Sequence, residues 1–300
     1  MKIVIIGAGA IGSFFGGLLS DVCDVTLVGR KKHVEKIKNN GLRITGKTDK
    51  KIKINAVEKI KEINYKPDFL IISVKSYDTE KAIKQSQEII GLDTIIVSIQ
   101  NGLNNIVKIK KYVSEENIFS TITTNGVVFK EPGMIEHTGI GKTIIGSITN
   151  KNKEKLDLFS KKLNESGIKN IISDEIRKEI WVKAIINSSI NPLTAFFKCK
   201  NGYLIKNPVL EKIVERVCIE STRIANLHGL NLSINDMIFK TKEVIHDTSD
   251  NYSSMLQSIN NNKKTEIDSI NGIIYKYGKE EKLDLFLNHM LFNLIKERYD

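Results

Sequence analysis

The chain has 300 residues, of which 41% are hydrophobic and 27% are charged. This composition is ordinary for a globular protein, the length suits two domains, and no apolar run reaches the roughly 18–20 residues that a membrane span needs. The net charge of +11 comes mostly from lysines scattered along the chain, without a recognised nucleic-acid-reading motif. We therefore expect neither a nucleic-acid nor a membrane partner.

The cysteines and the N-terminal stretch bear on location. Cys23, Cys199 and Cys218 are widely separated and lack metal-ligand spacing, so they are expected to be reduced thiols, and no metal site is predicted. The N-terminal stretch begins as a strand and lacks the layout of a signal peptide. A cytoplasmic protein is expected. The sequence leaves the oligomeric state open, a homodimer included.

Strands and helices alternate in the first half of the chain. The hydrophobic pattern predicts buried strands at 2–6, 24–28, 69–74 and 94–99, helices at 10–19, 32–39 and 78–90, and a hairpin at 42–45 and 51–54. This order indicates a parallel sheet with helices on both faces. Four further pieces between 118 and 145 read as antiparallel strands that close the domain, followed by a helix at 153–164 and a strand at 171–172.

The pattern becomes helical after residue 172. A helix capped by Ser173 or Asp174 should kink or end at Pro192, and Gly229 and Gly278 are expected helix stops. Later helices are predicted at 208–228, 234–242, 253–258, 266–277 and 283–298. The predicted fold class is an α/β domain of the Rossmann type, residues 1–172, followed by an all-α domain, residues 173–300.

A glycine-rich turn follows the first predicted strand and opens the first helix. It has the pattern Gly-x-Gly-x-x-Gly, in which the first glycine allows the tight turn, the second lets the backbone approach a pyrophosphate, and the third lets helix and strand pack closely. The helix N-terminus offers N–H groups to an anion. The predicted cofactor-binding residues here are Gly7, Ala8, Gly9, Ala10, Ile11 and Gly12.

The end of the second strand indicates which dinucleotide is bound. An NAD site usually carries Asp or Glu there, whereas this chain has Gly29-Arg30 followed by Lys31 and Lys32. Arginine can grip a 2′-phosphate through two hydrogen bonds. The sequence therefore predicts a preference for NADP(H), with Arg30 as a contact; the alternative is that Arg30 is a plain surface charge.

A polar stripe marks the first helix of the second half. Lys183, Asn187 and Asn191 are spaced by four residues, so they stack on one helical face, roughly 6 Å apart per step. The residues between them are mostly apolar, and buried amides and ammonium groups need partners. Taken alone, the stripe favours partners within the protein; a bound polar substrate is the alternative.

Several motifs in order and spacing resemble the ketopantoate reductases (2-dehydropantoate 2-reductases) over nearly the full length. They are Gly7–Gly12, Val74-Lys75-Ser76, Gln100-Asn101-Gly102, Trp181 to Ala195, Asn201-Gly202, Ser253 to Gln257, and Thr265 to Asp268 with Asn271-Gly272. The resemblance implies a Rossmann domain followed by a helical domain, and the reduction of 2-dehydropantoate to pantoate with NADPH on the way to pantothenate and coenzyme A.

The resemblance also implies residue roles. Lys183 corresponds to the catalytic proton donor, a role for which an ammonium with a burial-lowered pKa is suited. The implied substrate contacts are Asn101, Asn187, Asn191, Asn201 and Ser254, and the implied cofactor contacts beyond the glycine turn and Arg30 are Lys75, Asn101, Gly126 and Glu266. Three of these residues also have a simpler reading from the sequence alone. Glu266 could favour a helix dipole, Lys75 could be a surface charge, and Asn101 could belong to a turn.

Two departures concern the substrate. Val127-Val-Phe-Lys130 and Phe196-Phe-Lys198 differ from the family's best-studied pattern between the motifs. An alternative function is therefore the reduction of another branched 2-oxoacid. A separate alternative is a non-catalytic NADP(H)-binding sensor, which would keep the glycine turn but would not need the stripe and Ser254 together.

Overall fold

The structure is a computed structural model that describes residues 1–300. It contains two compact units: residues 1–100 with 105–177, and residues 101–104 with 178–300. None of the helices combines the length and apolar character that a membrane crossing requires. No group of three or more His, Cys, Asp or Glu side chains is placed to hold a metal ion.

The first unit is built on twelve strands. Their bounds are β1 Lys2–Ile6, β2 Asp24–Val28, β3 Leu42–Gly46, β4 Lys50–Ile52, β5 Asn55–Val57, β6 Phe69–Ile72, β7 Ile95–Ser98, β8 Ile118–Thr123, β9 Gly126–Glu131, β10 Met134–Gly139, β11 Thr143–Ser147 and β12 Ile171–Ile172. Five helices accompany them: α1 Ala10–Leu19, α2 Lys31–Asn40, α3 Thr79–Gln85, α4 Asn105–Ile109 and α5 Lys153–Glu165.

The main sheet has eight strands in the order β12-β11-β8-β7-β6-β1-β2-β5. From β8 to β5 all neighbours are parallel, and β11 runs antiparallel to β8. Apart from the exposed Lys2, every residue of β1, β6 and β7 is buried, as expected for strands covered on both faces. The predicted Rossmann-type fold is confirmed.

A second sheet of four strands has the order β4-β3-β10-β9. The β3–β4 hairpin was predicted. The strands expected between 118 and 145 are present, and they pair antiparallel as predicted: β8 with β11 in the main sheet, and β9 with β10 in the second sheet. Strand β10 also pairs with β3, in parallel. The buried Leu42, Ile44, Ile52 and Ile135 belong to the same apolar core as α1 and the main sheet, so the second sheet packs on the first unit's core.

The second unit is helical, as predicted. Its helices are α6 Ile176–Phe197, whose first two residues precede the unit boundary, α7 Tyr203–Lys206, α8 Pro208–Leu227, α9 Ile234–Asp247, α10 Ser254–Asn260, α11 Asn271–Glu280 and α12 Phe286–Tyr299. Ser173 is a local cap, since its hydroxyl accepts from the N–H of Glu175. Short helices α4 and α7 and strand β5 were not predicted, because pieces this short carry little periodicity.

Three predictions of helix bounds are corrected. The helix expected at 78–90 is a short α3 flanked by 3-10 turns at Ser76–Asp78 and Gln87–Ile89. Helix α6 does not end at Pro192 but continues to Phe197, and the side chain of Asn271 donates to the Ser188 carbonyl that the proline leaves without a helical donor. Gly278 lies inside α11, where a Cβ would come within 2.4 Å of Leu285. Gly229 follows α8 with φ +85°, as a helix stop should.

His33 joins three parts of the first unit. This buried histidine of α2 accepts a hydrogen bond on Nδ1 from the Gly133 N–H, in the β9–β10 turn, at 2.8 Å. The proton must therefore be on Nε2, which donates to Ser13 Oγ of α1 at 3.0 Å. Burial lowers the pKa of His33 to about 4. The neutral ring thus fixes α1 and α2 to the second sheet.

We expect the stability of the protein to fall as pH drops from about 6.5 to about 4, since the unfolded histidine binds a proton in that window and the folded one does not. His33→Gln should remove a pH-dependent contribution of up to about 3 kcal/mol from the free energy of unfolding. Urea unfolding at several pH values measures it, with the exposed His246→Gln as control. If the free energy of unfolding of His33→Gln depended on pH between about 4 and 6.5 as strongly as that of the unmodified protein, His33 would not be the source of the pH dependence.

Candidate active site

The glycine turn is shaped as the motif requires. Gly7 has φ +102°, and its N–H and that of Ala8 both donate to the Val28 carbonyl of β2 at 3.0 Å. A Cβ on Gly12 would lie 2.2 Å from the Gly7 carbonyl oxygen, whereas a Cβ on Gly9 would meet nothing within 4 Å. Protein packing therefore explains Gly7 and Gly12, and leaves Gly9 as the position where backbone faces open space.

The N-terminus of α1 is available to an anion. Gly9 is its N-cap, without a side chain to accept from the first N–H groups, and the first turn carries no acidic residue. Ala10 and Ile11, in that first turn, are half-buried. Unpaired N–H groups with the positive end of a helix dipole suit a pyrophosphate.

Arg30 follows the carboxyl end of β2, where the glycine turn is hydrogen-bonded to the Val28 carbonyl. It is exposed and is the N-cap of α2, with the exposed Lys31 and Lys32 next along the chain. No carboxylate stands between Val28 and Lys32. The position fits a phosphate on the ribose better than a free 2′-hydroxyl.

Lys75 and Gly126 also belong to the first unit. Lys75 lies three residues past the carboxyl end of β6, where it is half-buried and caps a 3-10 turn. Ligands of open α/β sheets bind at such carboxyl ends. Gly126 is the first residue of β9, in the second sheet, where a Cβ would lie 2.7 Å from Thr138 Oγ1.

The stripe of α6 lies in the second unit. Lys183 is half-buried, and the protein around its ammonium lowers the pKa to about 8 by desolvation, against the opposing charge of Glu266. Glu266 is buried and directly precedes the 3-10 turn Ile267–Ser269. A lysine with this pKa holds a proton at neutral pH and releases it more readily than an exposed lysine does.

The two stripe amides flank the buried hydroxyls of the helix. Asn187 is half-buried and Asn191 is buried. The side-chain hydrogen bonds of this part of α6 are made by Ser188, Ser189 and Thr194, each of which donates to a carbonyl of its own helix. These three hydroxyls therefore find acceptors within the helix that carries the two amides.

Two turns meet the C-terminal half of α6. Asn201 is buried, its backbone N–H donates to the Asn251 carbonyl at 3.0 Å, and its Nδ2 donates to Thr248 Oγ1 at 2.9 Å. Its Oδ1 is buried without a hydrogen-bond partner. Ser254 is exposed at the start of α10. The structure therefore brings Asn201 and the 251–254 turn together.

Sequence reasoning missed the pair that anchors this turn to α6. Thr194 Oγ1 and Ser253 Oγ are hydrogen-bonded to each other at 2.8 Å, and Ser253 also caps α10 by accepting from the Leu256 N–H. Both side chains are buried. Both residues lie within motifs that carry the family resemblance, Trp181 to Ala195 and Ser253 to Gln257. A hydrogen bond between hydroxyls 59 residues apart, however, leaves no periodic signal in one sequence.

Asn101 belongs to the second unit although it follows β7. The segment 101–104 is tied to the Glu266 region, because the Leu103 N–H donates to the Ser269 carbonyl at 3.0 Å. Gly102 has φ +96°, and a Cβ there would lie 2.7 Å from Ser269 Cβ. The structure thus places Asn101, Lys183, Glu266, Asn187, Asn191, Asn201 and Ser254 in one unit, and the glycine turn, Arg30, Lys75 and Gly126 in the other.

The fold and the site define a class: proteins with an N-terminal Rossmann-type domain and a C-terminal helical domain that carries a half-buried lysine with a lowered pKa. The family model described as ketopantoate reductase PanE/ApbA matches residues 3–150, and its C-terminal counterpart matches residues 175–299. A 2-dehydropantoate 2-reductase of Pyrococcus horikoshii is 40% identical over 299 residues, covering 99% of this chain and 97% of the relative. The chain therefore belongs to the ketopantoate reductase PanE/ApbA family.

Other similar proteins agree on the fold and differ in substrate. A 2-dehydropantoate 2-reductase of Archaeoglobus fulgidus is 31% identical, covering 98% of this chain and 97% of the relative. The solved structure of D-mandelate dehydrogenase with NADH and anilino(oxo)acetate has a TM-score of 0.94 at 29% identity, covering 100% and 99% of the two chains. A ketopantoate reductase structure from Ralstonia eutropha has a TM-score of 0.90 at 25% identity, covering 99% and 98%.

Gly9→Ala and Gly12→Ala should separate ligand contact from packing. Gly9→Ala meets no protein atom, so we expect an unchanged melting temperature and a loss of NADPH affinity of about tenfold or more, because the methyl group blocks the approach of the pyrophosphate. Gly12→Ala should lose both affinity and stability. Calorimetric titration and thermal unfolding measure the two effects. Unimpaired binding by Gly9→Ala would contradict a pyrophosphate at this turn.

Proposed function

We propose that the protein reduces 2-dehydropantoate to pantoate with NADPH, a step of pantothenate and coenzyme A biosynthesis. The observation that carries the proposal is Lys183, whose pKa is lowered to about 8 and which shares a helical face with Asn187 and Asn191. The chain is also 40% identical to a 2-dehydropantoate 2-reductase. We also propose residues 1–172 as the NADP-binding domain and residues 173–300 as the substrate and catalytic domain; support comes from the compact units, which change over between residues 177 and 178.

The first unit has the features that NADP(H) requires. The open face at Gly9, the uncapped N-terminus of α1 and the cations from Arg30 onward suit a pyrophosphate and a 2′-phosphate. We assign the cofactor contacts in this unit to Gly7, Ala8, Gly9, Ala10, Ile11, Gly12, Arg30, Lys75 and Gly126. Two further proposed contacts, Asn101 and Glu266, belong to the second unit. When bound, NADPH supplies the hydride that adds to the carbonyl carbon of the substrate.

Lys183 supplies the proton in the proposed reaction. Addition of hydride to the carbonyl carbon breaks the C=O π bond and puts the electron pair on oxygen, and the ammonium of Lys183 donates a proton to that oxygen. The product is the 2-hydroxy acid, and the lysine is left neutral. Its burial eases this loss of charge, and Glu266 keeps the lysine protonated until then.

The amides hold the substrate in this proposal. Asn187 and Asn191 have donors for a carboxylate and acceptors for a hydroxyl, and they stand one and two turns from Lys183. The buried Asn201 Oδ1 has no hydrogen-bond partner in the protein, and in this proposal it accepts a hydrogen bond from a hydroxyl of the substrate. Ser254 adds a hydroxyl, and Asn101 completes the proposed contacts.

Free thiols at all three cysteines support the cytoplasmic location that we also propose.

A second candidate is a reductase of a different 2-oxoacid. It is favoured by the TM-score of 0.94 to D-mandelate dehydrogenase with NADH. Oxidation of NADPH and NADH, followed by absorbance with 2-dehydropantoate and a set of branched and aromatic 2-oxoacids, decides between them. The highest kcat/KM should be for 2-dehydropantoate with NADPH. Tight NADPH binding without turnover of any 2-oxoacid would instead indicate a sensor.

A proton-donating Lys183 gives the activity a defined pH dependence. Since the lysine acts in its protonated form, kcat/KM should fall as pH rises through about 8. Glu266 raises the pKa of Lys183, so Glu266→Gln should move this fall to lower pH. Lys183→Ala should lower turnover by about tenfold or more and leave NADPH affinity nearly intact.

The control for this test is Lys212→Ala, which removes an exposed lysine of the same unit. Its pH profile should match that of the unmodified protein. A Lys183→Ala variant with undiminished turnover, or a Glu266→Gln profile moved to higher pH, would contradict the proposed role.

Arg30 should set the choice between the two dinucleotides. Arg30→Ala removes the partner of the 2′-phosphate, so NADPH should bind about tenfold more weakly or worse while NADH affinity changes little. Calorimetric titration with both cofactors measures the ratio, and Lys153→Ala serves as an exposed-cation control. Equal weakening for both cofactors would show that Arg30 does not read the phosphate.

A further inference from the structure

Pro192 leaves a gap in the hydrogen bonding of α6. An ordinary residue at this position would donate its N–H to the carbonyl of Ser188, and proline has no N–H. Ser188 is fully buried, so water does not replace the missing donor. The gap falls in the helical turn that ends in Asn191, between the two amides assigned to the substrate.

The side chain of Asn271 fills the gap from another helix. Its Nδ2 donates to the Ser188 carbonyl at 3.0 Å, and Asn271, the first residue of α11, is fully buried. The sequence alone predicts a kink or an end at Pro192; the helix does not end there but continues to Phe197. A donor from outside the helix thus accompanies the continuous α6.

A second set of bonds fixes the direction of the Asn271 amide. Nδ2 also donates to Asn288 Oδ1 at 3.1 Å, and Asn288 Nδ2 donates to Glu220 Oε2 at 2.8 Å. Glu220 itself accepts the backbone N–H groups of Leu287 and Asn288 in the first turn of α12. Because both hydrogens of Nδ2 face acceptors, a flipped amide would set its oxygen against two oxygens.

We propose that Asn271 is a positioning residue of the active site: it replaces the hydrogen bond that Pro192 removes and so holds Asn187 and Asn191 in line with Lys183. The proposal rests on the proposed function. Asn271 touches neither substrate nor cofactor in it. The Asn191 to Ala195 segment, which also carries the Thr194 anchor of the 251–254 turn, depends on this bond for its direction.

Asn271→Leu removes the donor while keeping a side chain of similar size. We expect the KM for the 2-oxoacid to rise and kcat/KM to fall by about tenfold, the scale of one lost hydrogen bond, while NADPH affinity stays unchanged. Steady-state kinetics and calorimetric titration with NADPH give the two readouts. A purely structural role would lower the melting temperature without moving the KM.

Pro192→Ala provides the rescue. In the Asn271→Leu background it restores a backbone N–H that donates to Ser188 within the helix, so the double variant should recover most of the lost kcat/KM. Asn288→Ala, which removes the acceptor that orients Asn271 but keeps its donor, is the milder variant if Asn271→Leu does not fold. It should raise the KM in the same direction and to a smaller extent.

The outcomes separate this proposal from the proposed function. An unmodified protein without turnover of any 2-oxoacid contradicts the proposed function, and the Asn271 proposal falls with it. An active protein whose Asn271→Leu and Asn288→Ala variants keep the KM of the unmodified protein overturns the Asn271 proposal alone. So does a loss of activity in Asn271→Leu that Pro192→Ala does not restore.

Discussion

The burial of one ammonium group is the constraint on which the rest of this account depends. Desolvation brings the pKa of Lys183 to about 8, and the carboxylate of Glu266 keeps the proton from leaving earlier. A lysine in bulk water would be a poor acid, and one buried without a carboxylate would lose its proton at a lower pH. The helix around Lys183, the segment that carries Glu266 and the hydrogen bonds that hold them are all needed to keep this balance.

Hydrogen bonds between distant residues build the rest of the helical unit around that helix. Thr194 is hydrogen-bonded to Ser253, and Asn271 donates to the Ser188 carbonyl, so side-chain hydrogen bonds fix two segments that are distant in sequence against α6. Such bonds are directional and are costly to leave unmade in a core. They define where the amides stand more narrowly than apolar packing alone would. In the first unit, the ring of His33 in α2 likewise forms hydrogen bonds to Ser13 of α1 and to Gly133 of the second sheet.

The sequence predicted what depends on local pattern. The alternation of strands and helices, the glycine turn and the Lys183 stripe all come from periodicity or spacing, and the structure has each of them. It did not predict features that depend on contacts between distant residues. Helix α6 does not end at Pro192, and the donor that Asn271 supplies there lies 83 residues from Ser188, beyond the reach of any local pattern. Gly278 is not a helix stop, and the close approach of Leu285 to it likewise has no local signal. The roles of the site residues come from the family resemblance and remain proposals.

The most direct test of the central claim follows the hydride itself. NADPH deuterated at the transferable position of the nicotinamide is incubated with the protein and 2-dehydropantoate, and the product is examined by mass spectrometry. The account predicts pantoate with one deuterium at C2, next to a hydroxyl whose proton exchanges with water. Oxidised cofactor without labelled pantoate, or pantoate without deuterium at C2, would contradict it.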